Sequence, residues 1–319
     1  MCGRATMFAV QQLQPDVQML LDQVAGLNAP PLESLSVDQA RAAFLAAGDG
    51  RPTGPEVGEV IDGQFPGATG ALNYRLYRPA TPGPHPVIVY YHAGGWVLGD
   101  FDSDDPLCRD LCARTGAIVL SLGYRHAPEH RFPSATDDAF AGLQWVAENA
   151  ADLGGRADQL IVAGWSAGGG IAAVVAQLAR NAGGPQLVGQ ALLTPVTDND
   201  ISRPSYVEYG EGYGLDTTLM TWCFDQYVDP ADRTDPRVAP LRAEDLSGLA
   251  PAVVVTAEFD VTRDEGAAYA DGLAAAGVPT THIRAEGHNH LSLSLVDIVA
   301  SGAPVRDQFA AAIRGLLGS

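Results

Sequence analysis

Short, continuously apolar segments alternate with amphipathic ones along most of the chain. The strongest apolar runs are 87–91 (VIVYY), 117–120 (AIVL), 160–163 (LIVA) and 252–256 (AVVVT). Strands that are apolar at consecutive positions bury both faces, as in a parallel sheet with helices on each side. Two weaker candidates, 190–193 and 280–283, extend this sheet. The pattern predicts an α/β fold.

The first quarter of the chain has a different pattern. Apolar positions recur at helical spacing over 13–27 and 37–47, and the Gly/Pro-rich stretch 48–55 ends the second segment. Ser36 precedes the second helix as a plausible N-cap. Two half-polar, alternating segments, 57–65 and 72–77, are typical of antiparallel edge strands. Together the segments predict a sheet of about eight strands, the first few antiparallel and the rest parallel.

One segment interrupts the alternation of strands and helices. Residues 198–229 are rich in Tyr, Gly and Asp, and they become amphipathic from 215 to 227. We expect a helical cap made of residues 1–50 and 198–229 above an α/β domain of residues 51–319. An ordinary crossover helix is the alternative for 198–229.

Composition and charge exclude several classes of protein. Of 319 residues, 46% are hydrophobic, which is enough for a full core and excludes general disorder. Nineteen basic and 38 acidic residues give a net charge of −19, and such a surface repels phosphate backbones, so we expect no nucleic-acid partner. No apolar run approaches the roughly 20 residues of a membrane span.

The N-terminus and the cysteines bear on localisation. No sustained apolar stretch opens the chain, which predicts that there is no signal peptide. Cys2, Cys108, Cys112 and Cys223 are too few and too scattered for a disulfide framework. Buried, reduced thiols and a cytoplasmic location follow as expectations.

A serine lies where a strand turns directly into a helix. Residues 160–163 are followed by Gly164-Trp165-Ser166-Ala167-Gly168 and then by a helical segment over 171–180. A serine on such a tight turn needs small neighbours, and the helix behind it offers free N–H groups. The context indicates a nucleophilic Ser166. A glycine-rich turn capped by serine is the alternative.

A second glycine-rich turn follows the strand 87–91. It reads His92-Ala93-Gly94-Gly95-Trp96. Two consecutive glycines let backbone amides approach a substrate oxygen without side-chain interference, as an oxyanion hole requires. A plain glycine turn is the alternative.

These motifs together resemble the hormone-sensitive-lipase branch of the α/β-hydrolases, the carboxylesterases with an H-G-G-G motif. The resemblance extends from about residue 55 to 317. It is carried by residues 92–96 (HAGGW), 124–133 (YRHAPEHRFP), 164–169 (GWSAGG) and 260–266 (DVTRDEG). It implies an α/β-hydrolase fold with a helical cap and a Ser–acid–His triad in that order along the chain.

The acid and the base are then sought downstream of the serine. The acid candidates after the strand 252–256 are Glu258, Asp260, Asp264 and Glu265, and the match to the family's D-P-L-R-D-E-G run selects Asp260. The family's G-x-x-H-G-F run aligns His290 as the base, with His288 as the alternative. A metal site formed by His282, His288 and His290 is a rival interpretation, but it leaves the serine turn unexplained.

The resemblance also implies the rest of the site. Amides of Gly94, Gly95 and Ala167 would form the oxyanion hole, with His92 organising its loop. Arg125 and Glu129 would brace the loop after a central strand. The chain departs from the family at Ala93 and Trp165. Asp102, Asp104 and Asp105 are expected to cap a helix, with a metal site as the alternative.

The implied activity is hydrolysis of small-molecule esters with short to medium acyl chains, without cofactor or metal. The expected pocket residues are Trp96, Leu98, Tyr209, Tyr213, Leu219, Met220 and Phe224. A non-catalytic small-molecule-binding protein and an acyltransferase or amidase with the same triad are alternatives. We expect a homodimer to form through the last edge strand, 280–283.

Overall fold

The computed structural model describes residues 12–318. The predictions for the first residues, no signal peptide and a reduced Cys2, lie outside this part. Eight strands form one sheet: β1 (Glu59–Pro66), β2 (Ala71–Arg78), β3 (His85–Tyr91), β4 (Ile118–Leu122), β5 (Gly155–Trp165), β6 (Gly189–Leu193), β7 (Ala252–Phe259) and β8 (Thr280–Asn289).

The strand order is β1-β2-β4-β3-β5-β6-β7-β8. β2 is antiparallel to both neighbours, and all the other pairs are parallel. The predicted eight-stranded, mostly parallel sheet is confirmed. β8 lies at one edge, as expected for 280–283, and dimerisation through it stays a prediction.

Nine α-helices accompany the strands within residues 12–318. They are α1 (Pro15–Gly26), α2 (Val37–Ala46), α3 (Phe101–Thr115), α4 (Ser134–Asn149), α5 (Ala167–Ala182), α6 (Pro204–Glu208), α7 (Thr217–Tyr227), α8 (Arg263–Ala275) and α9 (Ala303–Leu317). Ser36 caps α2 as predicted, since its side chain accepts the Gln39 N–H in a capping box.

The core has one layer on each face of the sheet. Val87, Val89 and Tyr91 of β3 pack into one cluster, while Ile88 and Tyr90 pack into the other. Successive strand residues point to opposite faces, so a strand buried on both sides must be apolar at every position. This explains the continuous apolar runs. The sheet thereby holds the loops at its carboxyl edge in fixed positions.

The segment 198–229 contains α6 and α7 and lies beside the carboxyl ends of the last strands. The Tyr213 ring stacks on Phe259 at the end of β7, with 5.6 Å between ring centroids. The Tyr213 carbonyl accepts the Asn289 side-chain N–H at the end of β8. Thr218 donates to Glu33, so α7 also contacts the N-terminal segment. Both segments predicted as a cap therefore touch each other.

Two further sequence predictions concern the cysteines and the membrane-spanning segments. Cys108, Cys112 and Cys223 are buried free thiols, as expected. No helix among residues 12–318 has the length and apolar character needed to cross a bilayer.

Candidate active site

Ser166 occupies a strained turn between β5 and α5. Its φ of 59° and ψ of −121° lie in a backbone region that non-glycine residues rarely adopt. The turn is tight because the glycines on either side allow close contact. A Cβ at Gly164 would overlap the Gly168 backbone, and a Cβ at Gly168 would overlap the Tyr91 carbonyl. The same contacts bring the end of β3 against the serine.

Ser166, His290 and Asp260 form a continuous hydrogen-bonded chain. His290 Nε2 lies 2.8 Å from Ser166 Oγ, and His290 Nδ1 lies 2.8 Å from Asp260 Oδ2. The Asp260 carboxylate also accepts the Thr262 N–H and hydroxyl. Ser166, Asp260 and His290 are 6%, 1% and 2% exposed, so the chain is shielded from bulk water. Such a chain can move a proton from a hydroxyl to an imidazole.

The other acid candidates make different contacts. Glu258 accepts the Gly287 N–H, and Asp264 accepts the Ser205 N–H. Glu265 accepts the Thr197 N–H, and burial raises the pKa of its carboxyl well above the ordinary value. The structure brings none of these three to His290.

The other histidines are also engaged elsewhere. His288 Nδ1 lies 3.1 Å from Ser292 Oγ, and His282 Nε2 lies 2.9 Å from Thr256 Oγ1. Between residues 12 and 318, no group of three or more His, Cys, Asp or Glu side chains is placed to hold a metal ion. The three histidines of the rival metal interpretation therefore do not converge.

The loop after β3 presents two glycines in left-handed conformations. Gly94 has φ 115° and Gly95 has φ 60°, whereas Ala93 keeps a negative φ, so the departure at Ala93 carries no strain. No acceptor for the Gly94, Gly95 or Ala167 amides is found within the described part of the chain. Ala167 is the first residue of α5, where backbone N–H groups lack helical partners. These amides are available to an outside acceptor.

Asp104 holds the start of this loop, and the expectation that it caps a helix is wrong. Its carboxylate, 1% exposed, accepts the Tyr90 hydroxyl at 2.6 Å and the Ala93 N–H at 3.1 Å. Burial raises the pKa of this carboxyl. Asp100 caps α3 instead, since the helix begins at Phe101.

Asp102 and Asp105 were also expected to cap this helix, and they do not. Each forms an ion pair, with Arg75 and Arg109 respectively. The prediction failed because the helix begins before these residues, so they lie inside it.

His92 packs in an aromatic cluster behind the glycine loop. Its ring stacks on Tyr124 with 4.4 Å between centroids, and its Nδ1 lies 2.6 Å from the Ala93 carbonyl oxygen. Burial lowers the pKa of His92, and burial together with His92 lowers the pKa of His126 to about 3. Both imidazoles are therefore neutral near pH 7. They stiffen the loop without adding charge beside it.

The loop after β4 is held by two ion pairs, as the resemblance implied. Arg125 pairs with Asp138 of α4 at 2.7 Å. Glu129 pairs with Arg41 of α2 at 2.7 Å, and Arg41 also donates to the Ala127 carbonyl. The second pair ties the N-terminal segment to the α/β domain.

The predicted pocket residues are placed in two groups. Trp96 stacks on Tyr227 with 4.4 Å between centroids and lies 5.6 Å from Phe224; Leu98 and Met220 are buried as well. Tyr209 and Tyr213 form a second cluster with Phe259, next to Asp260. Tyr213 and Leu219 are half-buried and keep surface for a ligand; the other five, Trp96, Leu98, Tyr209, Met220 and Phe224, are buried.

Cys223 of α7 is a site neighbour that sequence reasoning missed. A Cβ at Gly95 would overlap the Cys223 Sγ, so the helix packs directly against the glycine loop. Burial raises the pKa of this thiol to about 12, which keeps it protonated. No local signal in the sequence identifies a contact between residues this far apart.

The predicted role of the Gly95 amide is to donate to an oxyanion in ester hydrolysis. On this role we expect Gly95→Ala to lower kcat by about a hundredfold, the usual effect of losing one such donor. The added methyl group collides with Cys223, so the loop must move. The check is steady-state kinetics with p-nitrophenyl butyrate. Gly277→Ala is the matched control, because Gly277 has φ 79° and open space around it. Cys223→Ala in the Gly95→Ala background should restore part of the rate; unchanged activity of Gly95→Ala would contradict the role of this amide.

Known proteins share both the sequence pattern and this fold. Residues 88–294 match the family described as the alpha/beta hydrolase fold. Carboxylic ester hydrolase LipN of Mycobacterium tuberculosis is 38% identical over 99% of this chain and 86% of its own length. Ethyl acetate hydrolase of Pseudomonas putida is 40% identical over 83% of this chain and 87% of its own length.

A solved structure of an ester hydrolase has the same fold as this chain. Ester hydrolase EH1AB1 from the metagenome of Lake Arreo, in complex with a bipyridine phosphonate derivative, has a TM-score of 0.92 and 39% identity, over 97% of this chain and 100% of that one. The chain therefore belongs to the hormone-sensitive-lipase-like family of carboxylesterases within the α/β-hydrolase superfamily.

Proposed function

We propose that the chain is a serine carboxylesterase that uses Ser166 as nucleophile, His290 as general base and acid, and Asp260 as the orienting acid. One observation carries the proposal: His290 bridges the Ser166 hydroxyl and the Asp260 carboxylate at 2.8 Å on each side. The alternatives for acid and base are engaged with other groups.

The reaction has two halves that use the same groups. Ser166 Oγ attacks the ester carbonyl while His290 Nε2 takes its proton, and the imidazolium then gives that proton to the departing alcohol. Water then attacks the acyl-enzyme while His290 Nε2 takes its proton. The bond between the acyl carbon and Ser166 Oγ breaks, the imidazolium returns the proton to Oγ, and the carboxylic acid leaves. Asp260 accepts a hydrogen bond from Nδ1, which fixes the tautomer and stabilises the imidazolium.

The tetrahedral intermediate carries a negative charge on the former carbonyl oxygen. The amides of Gly94, Gly95 and Ala167 would donate to it, and each such donor is typically worth about 3 kcal/mol of barrier. Their rigidity supports this role, since Asp104 fixes the loop through Ala93 and α5 fixes Ala167. Donors that are already in place need no reorganisation when the charge develops.

Short- to medium-chain esters of small alcohols are the proposed substrate class. The relative from Pseudomonas putida is named an ethyl acetate hydrolase. Cys223 of α7 packs against Gly95, and Phe224 and Tyr227 of the same helix pack on Trp96. This close packing beside the glycine loop favours small acyl groups. Tyr213 and Leu219 are proposed to contact the substrate because they retain exposed surface.

Labelling with a p-nitrophenyl alkylphosphonate tests the nucleophile directly. The chain has no lysine, so trypsin cuts only after arginine, and the peptide 157–180 contains Ser166 as its only hydroxyl-bearing residue. We expect one phosphonyl group per chain on this peptide and parallel loss of activity. A panel of p-nitrophenyl esters from acetate to dodecanoate should show the highest kcat/KM at short to medium length. Label on another peptide, or binding of esters without turnover, would contradict the proposal.

A further inference from the structure

The contacts between Trp165 and His290 suggest that Trp165 has a role beyond packing. Its indole N–H donates to the His290 carbonyl oxygen at 3.3 Å. The two rings lie 5.9 Å apart between centroids at an angle of 34°. Trp165 is 7% exposed and His290 is 2% exposed, so water competes poorly for this hydrogen bond.

We infer that Trp165 is a positioning residue that sets the distance between Ser166 and His290. The inference rests on the proposed function of these two residues. Trp165 is covalently joined to Ser166 and hydrogen-bonded to the backbone of His290, whose Nε2 reaches Ser166 Oγ. These links close a small ring of contacts. The strand that carries the nucleophile and the loop that carries the base therefore cannot move apart freely.

The side chain of Trp165 has the length and the surroundings for this task. It projects from the last position of β5 into the core cluster that contains Leu193 of β6 and Leu293 beyond β8. A buried indole has one polar atom, and that atom needs a partner. The His290 carbonyl is the partner it has.

Other contacts hold the His290 loop but leave this point to Trp165. Asp260 holds the imidazole through Nδ1, while Asn289 bonds the Tyr213 carbonyl and the Ser292 N–H. These contacts act on the ring and on the flanking residues. The indole acts on the main-chain carbonyl of His290 itself. Loss of the indole N–H should therefore alter the approach of His290 Nε2 to Ser166 and leave substrate binding largely unchanged.

Trp165→Phe removes the donor and keeps an aromatic ring. We expect kcat for p-nitrophenyl butyrate to fall about fivefold, corresponding to one neutral hydrogen bond, with KM changed less than about twofold. Trp145→Phe is the matched control. Trp145 packs against Phe65 and Tyr74 at the other side of the sheet, and this change should leave kcat within about twofold. Full activity of folded Trp165→Phe would overturn the inference.

A coupling test separates action through His290 from a general loss of structure. The His290→Ala variant is compared with the His290→Ala/Trp165→Phe double variant in single turnover with excess enzyme. The rate constant of the double variant should be lower by less than about twofold. A full additional fivefold loss there would show that Trp165 acts on structure alone. If His290→Ala itself kept full activity, the proposed function would fail, and that result is distinct from either outcome for Trp165.

The native chain offers a second measurement that needs no tryptophan variant to fold. The chain has four tryptophans, so a ¹⁵N–¹H spectrum gives four indole N–H signals. We expect one to shift when Ser166 is phosphonylated, because Trp165 is joined to Ser166 and hydrogen-bonded to His290. If no indole signal responds to phosphonylation, the inference fails.

Discussion

Replacing Ser166 with alanine should lower kcat/KM for p-nitrophenyl esters by about 10⁵- to 10⁶-fold, because the change removes the proposed nucleophile. Alanine and serine meet the same steric limits at φ 59°, so the strained turn survives the change. The lost side-chain contact is a single hydrogen bond with His290. The measurement is steady-state kinetics alongside far-UV circular dichroism and a thermal melt.

A second serine provides the control for this substitution. Ser121 lies on β4 and is fully buried, but it belongs to no part of the proposed site. Ser121→Ala should therefore keep kcat/KM within about threefold. Ser166→Ala should also lose phosphonyl labelling of the peptide 157–180. Turnover at more than about a hundredth of the native rate by folded Ser166→Ala would refute the nucleophile assignment.

The sequence pattern was sufficient to predict the sheet, because fully buried strands must be apolar at consecutive positions. It was less able to predict where the strands end. β8 is predicted over 280–283 but runs to Asn289. Its pairing with β7 continues past Arg284, whose side chain is exposed, and after an irregularity includes Asn289. Backbone hydrogen bonds do not depend on side-chain polarity, so polar strand ends leave no apolar signal.

The site residues differ in how far the sequence could predict them. Local sequence features predict Ser166 and the glycine loop, because a tight turn and a close backbone approach both require small residues at fixed positions. Asp104 and Cys223 act through contacts between segments that are distant in sequence, and no local rule reveals those contacts. The choice of Asp260 among four acids depended on family resemblance. The geometry of Asp260 gives it an independent physical basis, which mutation can now test.

Replacing His290 with alanine should lower kcat by at least about 10⁴-fold, because the change removes the proposed base that lies 2.8 Å from the Ser166 hydroxyl. His288→Ala is the matched control in the same loop. Its imidazole contacts Ser292, and burial lowers its pKa, so it is a neutral structural group. We expect about tenfold loss or less from His288→Ala, with a lower melting temperature as its main effect.

The contrast between these two variants decides which histidine serves as base. Both are 2% exposed and lie two residues apart, so removal of either ring leaves a cavity of similar size. Loss of packing should therefore affect both melting temperatures alike, whereas loss of the base should affect kcat for only one of them. A near-dead His288→Ala beside an active His290→Ala would transfer the base to His288. Equal losses in both would mean that the loop, rather than one imidazole, limits the reaction.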